Sequence, residues 1–441
     1  MRDVIKRIMG TSLGLLSRLG SSELLERLGW RGATQQAVYR GTKVGFEAAQ
    51  AAARRFKARK AGDHPERLAR PSQPKLFDLR PTEEQEMMRD GMRRFAEEML
   101  RPAAEQADET CTPPGELLDQ IHGLGITVMA VPEGFGGAGQ QQSAVTNVIV
   151  AEELARGDMG LAYAALSPLA VVQAVVDWGS AEQQARYLPP FVEESFVPAA
   201  LALLESRPLF DPQALRAGAV RDGDGWTLHG EKTMVALGET AQLFLVAATV
   251  AGLGPRLFLV ERGAEGLAVE PDPAMGLRGA GLCRLKLEGT KVGHEALLGG
   301  EGAEGFDFEA LVDRGRIAWG AMAVGTSQAM LDYVIPYCNE RQAFGEPITN
   351  RQSVAFMIAD IAIELEGMRL LMQRAASRCE LGRSYRREAY LARAQCAERS
   401  MQIGTDGVQL LGGHGYVKDH PVERWYRDLR AIGLMEGGLL V

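Results

Sequence analysis

The order of the repeating patterns along the chain restricts its fold more than any other feature. Apolar residues recur at helical spacing over residues 76–197, form strand-like runs over 198–305, and return to helical spacing in long segments over 306–441. Helices and strands therefore fill separate blocks, whereas a parallel sheet would need them to alternate. The sequence predicts an α+β multidomain protein: an N-terminal all-α domain, a small middle β domain built as a barrel or sheet, and a C-terminal four-helix bundle, in that order.

Residues 1–75 are predicted to form a basic helical extension. Residues 1–70 contain 15 Lys and Arg against 6 Asp and Glu, although the whole chain has a net charge of −8. Two interpretations stay open: the extension packs on its own protein, or residues 1–60 contact a membrane surface or a partner and direct a membrane-associated scaffold. The acidic residues within the first 30 argue against a transit peptide.

Composition excludes several classes of function. The net charge argues against nucleic acid as a partner. No run of eighteen apolar residues is present, and so no membrane-spanning helix is expected. The six histidines form no ligand set, and the cysteines lack CxxC pairs, which favours reduced thiols over disulfides or a metal site; the cysteines are Cys111, Cys283, Cys338, Cys379 and Cys396. We expect a cytoplasmic protein, with a peripheral position at the inner membrane face as the alternative.

The last third of the chain carries arginine, glycine and glutamate motifs. A guanidinium group binds pyrophosphate well, an aromatic ring can cover a flavin or adenine, and glycines let backbone amides approach a phosphate closely. The motifs are Asp313-x-x-Arg316, Arg341-x-x-Phe344-Gly345, Gly412-Gly413-His414-Gly415-Tyr416, Arg427-Asp428 and Glu436-Gly437. With these motifs at these separations, residues 76–441 resemble the acyl-CoA dehydrogenase family.

The resemblance implies FAD-dependent oxidation of an acyl-CoA substrate to the trans-2-enoyl-CoA, with an electron-transfer flavoprotein as electron acceptor. It also implies a homodimer or homotetramer in which one chain completes the flavin site of its neighbour. The residues implied are Glu436 as catalytic base, Asp313 and Arg316 for the thioester end of the substrate, Arg341, Phe344 and Gln352 for the flavin of a neighbouring subunit, and Gly412, Gly413 and Gly415 for the ADP part of that FAD.

Glu436 lies nine residues after Arg427, which is the spacing of the family's catalytic glutamate. The base removes the acidic proton α to the thioester while the flavin takes the β-hydride. A carboxylate suits this role when a dry, apolar site raises its pKa. Leu434 and Met435 are expected to supply such surroundings. In the family a Thr stands at the position of Gly438, and a further helix follows.

The middle domain departs from the family pattern. Leu204 and Phe210 stand where the family has Thr and Ser, and Met234 and Ala236 stand where it has a flavin-packing Trp and a Thr near N5. Each lost hydroxyl donor costs about 1–3 kcal/mol when its partner is left unsatisfied. The alternative function is therefore a flavin-deficient, non-catalytic partner subunit of a hetero-oligomeric acyl-CoA dehydrogenase, its own flavin cleft closed by Leu204 and Phe210.

Overall fold

The computed structural model describes residues 80–139, 143–302 and 305–441. The predicted basic extension, residues 1–75, lies outside the described residues. Within them, a block of helices is followed by a block of strands and then by a second block of helices. The predicted α+β architecture, with helical, β and helical-bundle parts in that order, is confirmed.

The first helical block begins with a reciprocal cap. The Gln85 N–H donates to the Thr82 hydroxyl at 3.2 Å, and the Thr82 N–H donates to the Gln85 side chain at 3.0 Å. A π-helical stretch, Ala96–Leu100, joins the first two helices. The helices are α1 (Glu83–Phe95), α2 (Arg101–Thr110), α3 (Gly115–His122), α4 (Ile126–Ala130), α5 (Ala144–Gly157), α6 (Met159–Trp178) and α7 (Ala181–Tyr187).

Helix α6 forms the centre of this block, because every residue from Met159 to Val175 is buried. By length and composition it is apolar enough to cross a membrane. Its apolar character is interrupted by Ser167, Pro168 and Gln173, which is why no continuous run of eighteen apolar residues marks it in the sequence. However, 94% of its most apolar window is buried inside the fold. A helix that is apolar on all sides is typical of a protein core as well as of a membrane, and we interpret α6 as a core helix.

The middle block is a seven-stranded sheet in the order β1-β4-β2-β3-β7-β6, with β5 paired on β4. The strand predicted from the apolar run at 243–250 is β4, which is almost wholly buried and pairs with β1, β2 and β5. The pairing of β3 with β7 shifts between Lys232 and Val235, and this bulge holds Met234 at φ +56°. The strands are β1 (Ala199–Ala202), β2 (Gly218–Asp222), β3 (Gly225–Val235), β4 (Leu243–Val250), β5 (Gly254–Glu261), β6 (Leu267–Pro271) and β7 (Cys283–Val292).

The second helical block is the predicted four-helix bundle. Its first helix is capped by Asp307, whose carboxylate accepts from the Ala310 N–H at 3.0 Å. The same helix approaches α5 closely: a Cβ on Gly325 would lie 1.9 Å from the Glu152 carbonyl oxygen, so only glycine fits there. The elements are α8 (Phe308–Glu340), a hairpin of β8 (Gln342–Ala343) and β9 (Glu346–Pro347), α9 (Gln352–Glu380), α10 (Arg386–Leu411) and α11 (Val422–Ala431).

The Arg427-Asp428 motif ties α11 to the other two blocks. Arg427 donates to both oxygens of Asp108 in α2, at 2.8 and 2.9 Å. Asp428 accepts from the Leu277 N–H, in the loop that precedes β7, at 2.6 Å. Burial, together with the nearby charge of Asp158, raises the pKa of Asp428 to about 8. These contacts position the segment that follows α11, which contains Glu436.

Candidate functional site

Glu436 is buried, and its carboxylate lies between two arginines. Arg393 of α10 donates from Nε to Oε1 at 2.7 Å. Arg316 of α8 donates from Nε to Oε2 at 3.2 Å and from Nη2 to Oε1 at 3.2 Å. Both carboxylate oxygens therefore face guanidinium donors, an arrangement that stabilises the negative charge.

The surroundings of Glu436 are not those expected from Leu434 and Met435. Met435 is buried, but Leu434 is 64% exposed, and both oxygens of Glu436 are paired with Arg316 and Arg393. The expectation of apolar surroundings is wrong because the two positive charges come from helices that are distant in sequence. The role of Glu436 as a base stays a prediction.

Asp313 lies beside Arg316, with Oδ1 3.3 Å from Nη1. Burial raises the pKa of Asp313 to about 6, and attraction to Arg316 and Arg386 limits that rise. Arg316 thus links the carboxylates of Asp313 and Glu436. The structure brings these three predicted residues together. Arg316 was expected to hold the thioester end of the substrate, but its guanidinium donates here to protein carboxylates.

The backbone that follows Glu436 lies against the middle block. Gly437 packs on Leu203, the residue after β1, since a Cβ on Gly437 would lie 2.5 Å from the Leu203 Cβ. Gly438 packs on Tyr163 of α6, since its Cβ would lie 2.5 Å from the hydroxyl oxygen. The Tyr163 hydroxyl in turn donates to the Met234 carbonyl at 3.0 Å. Glu436 is therefore next to the part of the β domain that was expected to face a flavin.

Three residues of this site escaped sequence reasoning: Arg393, Trp319 and Tyr163. Trp319 Nε1 donates to the Gly437 carbonyl at 2.7 Å, and the Trp319 and Tyr163 rings meet edge to face with centroids 5.0 Å apart. Arg393 is one of several arginines in α10, and both aromatic residues sit in buried helices. No local signal separates them from ordinary surface and core residues.

The inner face of the β domain is apolar, and its backbone groups have partners. Leu204 and Ala236 are buried. The Leu204 carbonyl accepts from the Thr233 N–H at 3.0 Å, and the Met234 N–H donates to Asp272 Oδ2 at 2.9 Å. These positions lack the hydroxyl donors of the family, as the sequence indicated, and the neighbouring backbone donors are already bonded.

Glu205, which follows Leu204, has a structural role. Its carboxylate accepts from the Ala217 N–H at 2.9 Å and from Lys232 Nζ at 3.0 Å. Lys232 is fully buried and also donates to the Leu203 carbonyl at 3.2 Å. Burial lowers the pKa of Lys232 to about 8, although the charge of Glu205 opposes this effect. The pair fixes the end of β1 against which Gly437 packs.

The predicted flavin contacts of the bundle project outward. Phe344 is 94% exposed at the tip of the β8–β9 hairpin, and its φ of +57°, followed by +84° at Gly345, is typical of a type I′ turn. The Arg351 guanidinium lies 5.5 Å from the centre of the Phe344 ring. Arg341 and Gln352 are exposed on either side of the hairpin.

The two groups of predicted residues lie near opposite ends of α8. At 1.5 Å per residue, the 25 residues from Arg316 to Arg341 span about 38 Å. Glu436 contacts Arg316, near the N-terminal end of this helix. The hairpin that carries Phe344 follows the C-terminal end. The outward-facing residues of one chain are therefore too far away to complete the site around its own Glu436.

The glycine loop forms one 3₁₀ turn after α10. Gly412 has φ +59° and, like Gly413, is exposed, with open space where a Cβ would lie. Gly415 is buried, and its Cβ would lie 2.3 Å from the Val408 carbonyl oxygen, so packing alone requires glycine there. The loop is held by His414, whose Nδ1 is 2.8 Å from the Tyr337 hydroxyl.

The residues present fit FAD on the outer face of the chain. The exposed side chains of Arg341 and Gln352 and the accessible amides of Gly412 and Gly413 are the kinds of group that bind a pyrophosphate or an adenine. On the inner face, Leu204 and Ala236 supply apolar contact and no hydroxyl at their positions. Among residues 80–139, 143–302 and 305–441, no cluster of His, Cys, Asp and Glu is arranged to hold a metal ion.

Comparisons with known proteins cover all three blocks. Residues 82–195 match the family described as acyl-CoA dehydrogenase, N-terminal domain. Residues 200–290 match the middle domain of the same family, and residues 306–438 match its C-terminal domain.

Individual proteins agree with these matches. A probable acyl-CoA dehydrogenase of Mycobacterium tuberculosis is 33% identical over 374 residues, which cover 82% of this chain and 93% of the relative. The structure of butyryl-CoA dehydrogenase from Megasphaera elsdenii has a TM-score of 0.74 at 28% identity, over 82% of this chain and 96% of that one. A chain from a study of the electron transferring flavoprotein of Acidaminococcus fermentans has a TM-score of 0.74 at 31% identity, with the same coverage. The chain belongs to the acyl-CoA dehydrogenase family.

Proposed function

We propose that this chain catalyses FAD-dependent α,β-dehydrogenation of an acyl-CoA thioester to the trans-2-enoyl-CoA. Acyl-CoA dehydrogenases are flavoprotein oxidoreductases that act on CH–CH bonds. The observation that carries the proposal is the group of Asp313, Arg316 and Glu436, whose two carboxylates are buried and which meets the end of β1 through Gly437. The group combines a carboxylate with cationic donors at the boundary between the bundle and the sheet.

Glu436 is the residue that we assign to removal of the α proton. Arg316 and Arg393 hold its carboxylate in position through ion pairs at 3.2 and 2.7 Å. Before the α proton can be transferred, one carboxylate oxygen must give up its hydrogen bond to a guanidinium N–H and face the α C–H of the substrate instead. FAD, when bound, accepts the β hydrogen with its electron pair. Asp313 keeps Arg316 in place from the opposite side.

The residues that we assign to FAD binding can serve Glu436 only if they come from a neighbouring subunit. The separation of about 38 Å along α8 prevents Arg341 and Phe344 from serving their own Glu436. Phe356, Ile363 and Leu370 are exposed at intervals of seven residues along α9, which gives this helix an apolar stripe. We therefore propose a homodimer or homotetramer, with a hetero-oligomer as the alternative.

We propose an electron-transfer flavoprotein as the electron acceptor. The likeness to a chain from a study of such a flavoprotein supports this partner. Cytoplasmic location also stays a proposal, as does membrane-surface contact by residues 1–60. Flotation of the full chain with anionic liposomes, compared with a variant lacking residues 1–70, tests the contact: flotation that does not depend on these residues removes it.

Product analysis tests the activity. The purified chain, supplied with FAD, octanoyl-CoA and an artificial electron acceptor, should form an enoyl-CoA that is lighter by two hydrogens in mass spectrometry. Glu436→Gln should abolish product formation while FAD stays bound. Glu364→Gln is a matched control, because Glu364 pairs with Arg399 on the surface of the bundle.

The same preparation distinguishes this proposal from the alternative, in which the chain is a flavin-deficient partner subunit. A chain that binds no FAD and forms no enoyl-CoA alone, but does both when mixed with a second acyl-CoA dehydrogenase subunit, would replace the first proposal. Product formation by Glu436→Gln would instead remove the base assignment.

A further inference from the structure

Residues 437–441, which we name the gate segment, follow Glu436 directly and are buried throughout. Gly437 and Gly438 both have positive φ angles, +69° and +79°, which place the chain close against its neighbours. Leu439, Leu440 and Val441 then bury their apolar side chains in the core. A strongly apolar segment thus begins one residue after the proposed base.

The contacts of the gate segment place it between α8 and the middle block. Trp319 donates to the Gly437 carbonyl at 2.7 Å, and Arg314 donates from Nε to the Val441 carbonyl at 2.5 Å. On the opposite side, Gly437 packs on Leu203. The segment therefore fills the space between the bundle and the end of β1.

The position of the gate segment leaves no room for the substrate beside Glu436. The α and β carbons of an acyl group have to lie beside the Glu436 carboxylate, with the rest of the chain in an apolar compartment. Here the carboxylate contacts Arg316 and Arg393, and the adjoining apolar space holds the gate segment. Three clefts of about 280, 470 and 270 Å³ lie elsewhere, and none is lined by Glu436, Arg316 or the gate segment.

We propose that the gate segment occupies the acyl-chain site in the free protein, and that acyl-CoA binds by displacing this segment. The inference rests on the proposed function, because the displaced space is the acyl site of that reaction. Gly433 and Leu434 are exposed and offer a hinge before Glu436. Because Glu436 lies between the hinge and the segment, displacement also releases one oxygen of its carboxylate from a guanidinium donor, as the proposed reaction requires.

The displacement has a consequence for specificity. Moving Leu439, Leu440 and Val441 into water loses apolar burial, and an acyl chain that enters the space restores it in proportion to the area buried. Long acyl chains therefore compensate better than short ones. Affinity should rise with chain length until the space is filled.

Hydrogen exchange on the FAD-loaded chain tests the displacement without relying on turnover. The product analogue trans-2-octenoyl-CoA is added to saturation, as judged by calorimetry. The peptide covering residues 433–441 should then exchange about tenfold faster than in the free protein. Bound ligand with unchanged exchange in this peptide overturns the gate and leaves the dehydrogenase proposal standing. Absence of any binding contradicts the dehydrogenase proposal itself.

Gly438→Ala destabilises the closed state, in which the gate segment fills its buried site, because the added Cβ would lie 2.5 Å from the Tyr163 hydroxyl. If the closed state competes with ligand, the variant should bind trans-2-octenoyl-CoA about tenfold more tightly than the unaltered chain. Gly382→Ala is the control: its φ is also positive, at +61°, but the added Cβ meets open space. A folded Gly438→Ala protein with the affinity of the control overturns the gate. Should that variant not fold, the exchange experiment on the unaltered chain decides.

Discussion

The pairing of Arg393 with Glu436 gives the most specific prediction about stability. Arg393 is largely buried, and its Nε lies 2.7 Å from the carboxylate. Removing one partner of a buried ion pair typically costs about 3–5 kcal/mol. Arg316 remains as a second donor in this case, so we expect Arg393→Gln to lower the free energy of unfolding by about 2 kcal/mol. For a chain of 441 residues, whose unfolding entropy is about 0.9 kcal/mol/K, that corresponds to a fall in Tm of about 2 °C.

Arg399→Gln is the matched control for this measurement. Arg399 lies in the same helix and pairs with Glu364 at 3.1 Å, but both side chains are about one-third exposed. Such surface pairs contribute between about 0 and 1 kcal/mol. Thermal unfolding of both variants, followed by circular dichroism, should therefore place the Tm of Arg393→Gln about 1–2 °C below that of Arg399→Gln. Equal Tm values would refute the claim that Glu436 is held in a buried double ion pair.

Three further predictions concern charge and assembly. The folded pKa of Asp313, about 6, lies above its ordinary value of 3.8, so ionisation of this carboxyl destabilises the native state as pH rises through this range. Asp313→Asn should therefore raise the free energy of unfolding by up to about 3 kcal/mol at pH 8 and by little at pH 4. Equal increases in denaturant titrations at both pH values would contradict this. Lys232→Met leaves buried Glu205 with the Arg207 guanidinium, whose Nε lies 3.5 Å away, as its remaining cation and should lower the unfolding free energy by about 2–3 kcal/mol. A double variant that also carries Glu205→Gln should recover part of this loss; urea titration measures both variants, and no recovery would contradict the pairing. If sites are shared between subunits, an equal mixture of inactive Glu436→Gln and Arg341→Glu chains, refolded together as dimers, should regain about a quarter of the activity, whereas no recovery would argue against sharing.

The fold was largely predictable because it follows from local patterns. Helical spacing before and after the strand-like runs predicted the three blocks, and Thr82 with Gln85 marked the start of α1. The proximity of Asp313 and Arg316 also follows from their spacing within one helix. Helix α6 shows why composition alone does not identify a membrane helix, because burial in a core and membrane insertion select the same apolar residues.

The surroundings of Glu436 could not be predicted, because they depend on contacts between distant helices. Arg393 is 43 residues away in sequence. Nothing in the sequence around it separates it from Arg399, which pairs on the surface. The burial of residues 437–441 depends on the space between the bundle and the sheet, which no local pattern encodes. Gly415 illustrates the same limit, since its packing on Val408 is invisible in the motif.

The measurement that tests the central claim most directly is the absorption spectrum of the FAD-loaded chain when octanoyl-CoA is added without oxygen. We predict that the long-wavelength flavin band bleaches in the unaltered chain, as the acyl-CoA is oxidised. In Glu436→Gln the band should persist while FAD stays bound. A chain that retains FAD and binds octanoyl-CoA, yet keeps its flavin band unchanged, would contradict the assignment of this chain as an acyl-CoA dehydrogenase.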